Sequence, residues 1–199
     1  TYAEDITLDT RFIEDIELTY AFRLQPEASP IALSENTLHL GSIVQGIATQ
    51  VIFECIVHPK AVKSDSLTIL DGMLKVAIAS QVLPVPPLRM CLERPISDSP
   101  ETDPPPPQIV QALSRLMLYR MQERAHSEIE KGNIVGATRQ LKMLASNLLT
   151  QGERGLAQTI LLEMEYLEKQ NALTIEGSKK IKYGTRSLFN TPSKKELTQ

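Results

Sequence analysis

The stretch SPETDPPPP, residues 99–107, separates two parts of the chain that have different residue patterns. Before it, apolar and polar residues alternate; after it, apolar residues recur every three or four positions. Proline fixes φ near about −65° and has no backbone N–H, so four consecutive prolines can neither continue a strand nor lie inside a helix. We therefore predict a semi-rigid linker at 99–107, after a first domain at 1–98.

The first domain has the pattern of an antiparallel β-sandwich. Apolar residues alternate with polar ones from Ile16 to Leu24, which is typical of a strand with one buried face. Asp71-Gly72 lies between two apolar runs and predicts a two-residue hairpin turn. We expect about seven short strands in all, and no helical crossover separates them, which favours a sandwich over a parallel sheet.

The part after the prolines has the pattern of a helical bundle. A first apolar stripe ends at Lys131-Gly132-Asn133, a second ends at Gln151-Gly152, and a third ends near Gln170-Asn171. Glycine and asparagine suit helix C-termini, and such short loops join antiparallel neighbours. The predicted fold class is therefore α+β, with a sandwich followed by a bundle of about three antiparallel helices at 108–172 and a basic tail at 173–199.

Charge is distributed unevenly along the chain. Residues 1–103 hold 7 Lys and Arg against 15 Asp and Glu, a net charge of −8, whereas residues 173–199 have a net charge of +4. An acidic first half argues against nucleic-acid binding, which needs a basic face. No apolar run approaches the ~20 residues that cross a bilayer, so we expect no membrane insertion and a cytoplasmic protein.

The residue pattern does not predict a reaction centre. There is no His-Glu-x-x-His, Cys-x-x-Cys or glycine-rich phosphate loop, so we expect no metal site and no cofactor in this fragment. Cys55 and His58 stand three positions apart on a predicted strand, which puts them on opposite faces. We interpret Cys55 and Cys91 as buried free thiols, and we expect that the chain is not an enzyme.

The basic tail holds the candidate interaction residues, which are Lys179, Lys180, Lys182, Tyr183 and Arg186. Two interpretations are open for them. They form either a solvated terminus or a segment that docks onto an acidic surface.

Several segments resemble a known family. EKGNIVGATRQL at 130–141 and KKIKYGTR at 179–186 are similar to the C-terminal part of bacterial proteins that contain a von Willebrand factor type A domain, and LHLGSI at 38–43 with VIFEC at 51–55 resembles that family's sandwich. The resemblance implies a β-sandwich followed by a helical region. Type A domains bind a divalent cation through an Asp-x-Ser-x-Ser loop, and this sequence contains no such pentad.

The resemblance implies a non-catalytic scaffold or protein-interaction region that accompanies a metal-dependent type A domain. Its partner would be another protein or the protein's own type A domain, and the type A domain itself would precede Thr1. A tetratricopeptide-like helical module that binds peptides is the alternative, because Gly-Asn-x-x-Gly-Ala at 132–137 joins two predicted helices. A third hypothesis, a hydrolase that uses Cys55, has no local base and orienting group to support it.

Overall fold

The computed structural model describes residues 3–11, 16–34, 37–58, 65–78, 85–96 and 104–189. The chain divides into two compact units, Thr1–Pro104 and Pro105–Gln199. The first unit holds the described strands and the second holds the described helices, so each is presented by itself.

Two antiparallel sheets make up the described part of the first unit. The first sheet has the strand order β4-β1-β6-β7 and the second has the order β3-β2-β5. These seven described strands confirm the predicted antiparallel β architecture. Their bounds are β1 (Ala3–Arg11), β2 (Ile16–Gln25), β3 (Ser29–Pro30), β4 (Thr37–Ile43), β5 (Gln50–Val57), β6 (Ser66–Ala77) and β7 (Leu88–Pro95).

The two sheets share one apolar core. Ile6 and Leu8 of β1 lie in the same buried cluster as Ala21 of β2, with Val51 and Phe53 of β5 packed against it. A polar contact also joins the sheets, since Arg23 Nη1 on β2 donates to the carbonyl oxygen of Leu40 on β4 at 3.2 Å. Sheets that bury facing apolar side chains in this way form a sandwich.

The hairpin predicted at Asp71-Gly72 is wrong. Strand β6 passes through this dipeptide without turning, and it pairs with β1 on one side and β7 on the other. A Cβ on Gly72 would lie 2.6 Å from the carbonyl oxygen of Asp9 on β1, so this glycine permits a close approach of two strands. The two strands predicted on either side of Asp71-Gly72 are thus one strand, β6. The described strands still number seven, because the short strand β3 was not predicted.

Four helices are described in the second unit, rather than the three that the sequence predicts. They are α1 (Pro107–Glu130), α2 (Ile134–Thr150), α3 (Arg154–Gln170) and α4 (Ile175–Ser187). The first three end where the sequence predicts, because Gly132, Gly152 and Asn171 have positive φ values just beyond them. The additional helix α4 lies in the segment predicted as a basic tail.

The helices enclose one apolar core. Each helix packs against the next, and α4 also packs against α1. Helix α2 contributes more buried residues to this core than any other helix, and all four helices contribute, among them Leu118, Met121, Ala137, Leu141, Leu144, Leu148, Ile160, Leu167 and Ile181. The prolines end at the first residue of α1, where a missing N–H is tolerated.

Substitution of Gly72 tests the close approach of β6 and β1. We expect Gly72→Ala to lower the free energy of unfolding of the sandwich by about 1–3 kcal/mol, because the new methyl group must displace the Asp9 backbone. Equilibrium denaturation measures the change. Gly155→Ala is the control, since a Cβ there meets no atom within 4 Å; equal losses for the two variants would contradict the interpretation.

Candidate functional site

The five residues predicted to interact all lie on α4. This helix forms because Thr174 caps it, accepting a hydrogen bond from the Gly177 N–H at 2.8 Å. Glu176 lies in the first turn, where a negative charge is favourable, and it pairs with Lys180 one turn later at 2.8 Å. A basic segment with few apolar residues is therefore helical.

The start of α4 is joined to α3 through Glu163. Its carboxylate accepts from the Thr174 N–H at 2.8 Å and from the Thr174 hydroxyl at 2.7 Å. A Cβ on Gly177 would overlap this carboxylate, so a side chain at this position would displace it from Thr174. The sequence-based predictions include neither Glu163 nor Thr174. Thr174 as a possible N-cap, followed by Glu176 in the first turn, is the pattern that could have indicated this helix.

The second half of α4 packs through small and apolar residues. Ile181 and Thr185 are buried, and the Thr185 hydroxyl donates to the Ile181 carbonyl at 2.8 Å. A Cβ on Gly184 would lie 2.6 Å from a methyl group of Leu156 on α3. In the KYGTR motif at 182–186, the glycine and threonine therefore belong to the packed face of the helix.

The opposite side of α4 exposes a stripe of basic and aromatic side chains. Lys179, Lys182 and Tyr183 follow the spacing of one helical face, and Tyr183 is 63% exposed. No ion-pair or hydrogen-bond partner for these three side chains occurs in the described part of the chain. We call them the α4 patch.

The other two predicted residues differ from the α4 patch. Lys180 forms its ion pair with Glu176, which raises the pKa of the lysine and lowers that of the carboxyl group. Arg186 is half-buried, and its Nε is buried without a hydrogen-bond partner among the described residues. The structure thus brings three of the five residues together as an accessible group.

A second group of charged side chains covers the outer face of the first sheet. Lys75 and Thr37 hydrogen-bond to Asp9 and hold the pKa of its carboxyl group below the usual range. Arg89 on β7 donates two hydrogen bonds of 3.0 Å to Asp71, with the same effect on that pKa. An open groove of about 630 Å³ is lined by both carboxylates together with Thr37 and Arg89. Because both carboxylates are paired with side chains of neighbouring strands, we interpret these contacts as cross-strand pairs that stabilise the sheet.

The described surroundings of the two cysteines raise the pKa of both thiols. Cys91 is exposed on the edge strand β7, so the prediction that it is buried is wrong. Burial raises the pKa of Cys55, which disfavours the reactive thiolate. Nε2 of His58 lies 4.0 Å from the carboxylate of Glu17.

Metal-ligating clusters and membrane-spanning helices are both absent from the described ranges. Those ranges contain no group of three or more His, Cys, Asp or Glu side chains that could hold a metal ion. None of the helices described there combines the length and apolar character needed to cross a membrane.

Comparisons with known proteins concern the helical half and the overall fold. Residues 107–191 match a protein family described as Sll0103-like, C-terminal alpha-helical domain. A solved structure described as von Willebrand factor type A from Catenulispora acidiphila is similar to 79% of this chain, with a TM-score of 0.57 and 11% sequence identity. This chain spans 38% of the length of that one. No curated protein matches the sequence. At this identity the likeness concerns the fold.

Removing the Glu163 carboxylate tests how α4 is held. We expect Glu163→Ala to lower the free energy of unfolding of the helical unit by about 1–3 kcal/mol, because the Thr174 N–H loses its acceptor in a partly buried position. Far-UV circular dichroism during denaturation measures this free energy of unfolding. Glu165→Ala, at an exposed position of the same helix, is the control. An unchanged stability for Glu163→Ala would show that the cap does not hold the helix.

Proposed function

We propose that this chain is a non-catalytic scaffold and protein-binding region that accompanies a metal-dependent type A domain. The resemblance of its segments to that family supports the proposal. So does its similarity in fold to the von Willebrand factor type A protein from Catenulispora acidiphila. That protein is much longer than this chain, which corresponds to 38% of it.

The observation that carries the binding role is the α4 patch. Its helix is fixed to α3 by the Glu163–Thr174 hydrogen bonds and by close packing at Gly177 and Gly184. A backbone that is already ordered loses little further backbone entropy when a partner binds. The patch is therefore suited to binding.

The chemistry of the α4 patch indicates the kind of partner. Two lysines without ion-pair partners among the described residues offer positive charge, and their stems together with the Tyr183 ring offer apolar area. Such a surface complements an acidic protein surface. We propose that this partner surface lies on the accompanying type A domain.

The test begins with the natural reading frame that contains this chain, in which we expect an Asp-x-Ser-x-Ser pentad. The type A domain carrying that pentad is then titrated, with Mg²⁺, against the purified chain in a calorimeter. We expect the triple variant Lys179→Glu, Lys182→Glu, Tyr183→Ala to bind at least about tenfold more weakly, since it replaces attraction with repulsion and removes an aromatic contact.

A matched variant separates the α4 patch from general charge. Arg154→Glu with Lys169→Glu makes the same change of charge on the exposed side of α3 and should alter the affinity less than about twofold. A reading frame without the pentad would overturn the association with a type A domain. Equal binding by the triple variant and the chain itself would overturn the role of the α4 patch.

A further inference from the structure

A groove about 430 Å³ in volume lies between α1 and α2. The described residues that line it belong to these two helices, and none belongs to α4. Leu113, Met117 and Met143 line it and are between 45% and 51% exposed. Helix α1 already buries Leu118 and Met121 in the bundle core. Leu113, Met117 and Met143 therefore form an exposed apolar strip that is not part of the buried core of the bundle.

The apolar strip continues along α1 with helical spacing. Ile109 and Val110 are exposed one turn before Leu113, and Arg120 and Arg124 line the groove further on. The distance from residue 109 to residue 124 along a helix is about 22 Å, which is about four turns. Side chains at such intervals receive the apolar positions of another helix. Methionine side chains, which are flexible, adapt to a partner of this kind.

The charged side chains that line the groove, among the described residues, are both basic. Arg120 and Arg124 line it, no carboxylate does among the described residues, and α2 contains Arg139 and Lys142 but no Asp or Glu. The exposed Arg124 side chain has no ion-pair or hydrogen-bond partner within the described ranges. A partner that places carboxylates over this rim gains attraction, and a basic partner is repelled.

We propose that the groove between α1 and α2 binds an amphipathic helix whose polar face is acidic. The partner's apolar side chains lie over Leu113, Met117 and Met143, and its carboxylates face Arg124. This proposal goes beyond the function proposed above, because it uses other helices and does not depend on a type A domain.

The test uses the full chain and two fluorescein-labelled helical peptides of about 16 residues, the length that spans four turns. Both carry leucines at positions 1, 5, 8 and 12 of the peptide design; one has glutamates on its flanks and its twin has lysines. Fluorescence anisotropy should show binding of the acidic peptide at least about tenfold tighter than that of the basic twin.

Variants in the groove locate the binding. Met117→Ser and Arg124→Glu are each expected to weaken binding of the acidic peptide at least about tenfold. Leu162→Ser and Arg154→Glu make the same kinds of change at exposed positions of α3 and should leave it within about twofold. Circular dichroism establishes that each variant is folded, and Arg124→Glu, at an exposed position, keeps the test valid if Met117→Ser does not fold.

Three outcomes would overturn the proposal. The first is equal binding of both peptides, or binding that neither groove variant weakens. The second is a dimer in sedimentation velocity that Met117→Ser dissociates, because a second copy of the chain would then occupy the groove. The third is binding to phosphatidylserine vesicles that Met117→Ser abolishes while the acidic peptide does not bind.

Discussion

The carboxylate of Glu163 accepts hydrogen bonds from the backbone N–H and the hydroxyl of Thr174, and these two contacts set where α4 begins. Thr174 in turn accepts from Gly177, so one acidic side chain on α3 orders the first turn of the next helix. The orientation of α4 then decides which residues are buried and which are exposed. The α4 patch exists as a surface because the opposite side of its helix is held in this way.

The parts of the fold that the sequence predicts are those set by local pattern. The spacing of apolar residues, the glycines at 132 and 152 and the asparagine at 171 predict three helices and their ends. The fourth is missed because its packing depends on Glu163, 11 positions before Thr174, and on glycines that look like helix breakers. Asp71-Gly72 is misassigned for a similar reason, since the β1 backbone that requires the glycine is far away in sequence. Cys91 is exposed because β7 is an edge strand, which its apolar neighbours do not reveal.

The candidate site is predicted in part for the same physical reason. The sequence shows a cluster of basic residues with a tyrosine. It does not show which of these residues the helix exposes and which it pairs or buries. Lys180 is satisfied by Glu176, and Arg186 is partly buried, which leaves three residues for a partner. The groove between α1 and α2 is a second surface of apolar and basic character. Both surfaces are proposed here as binding sites for protein partners.

Helix α4 is an integral part of the helical bundle and not a solvated basic tail. Amide hydrogen exchange, resolved by residue with NMR, tests this most directly because it reports the free energy of local opening. We predict that the amides of Ile181 and Thr185 exchange about as slowly as those of Ile160 and Leu167 on α3. Exchange of Ile181 and Thr185 at the rate of an unstructured peptide would contradict it.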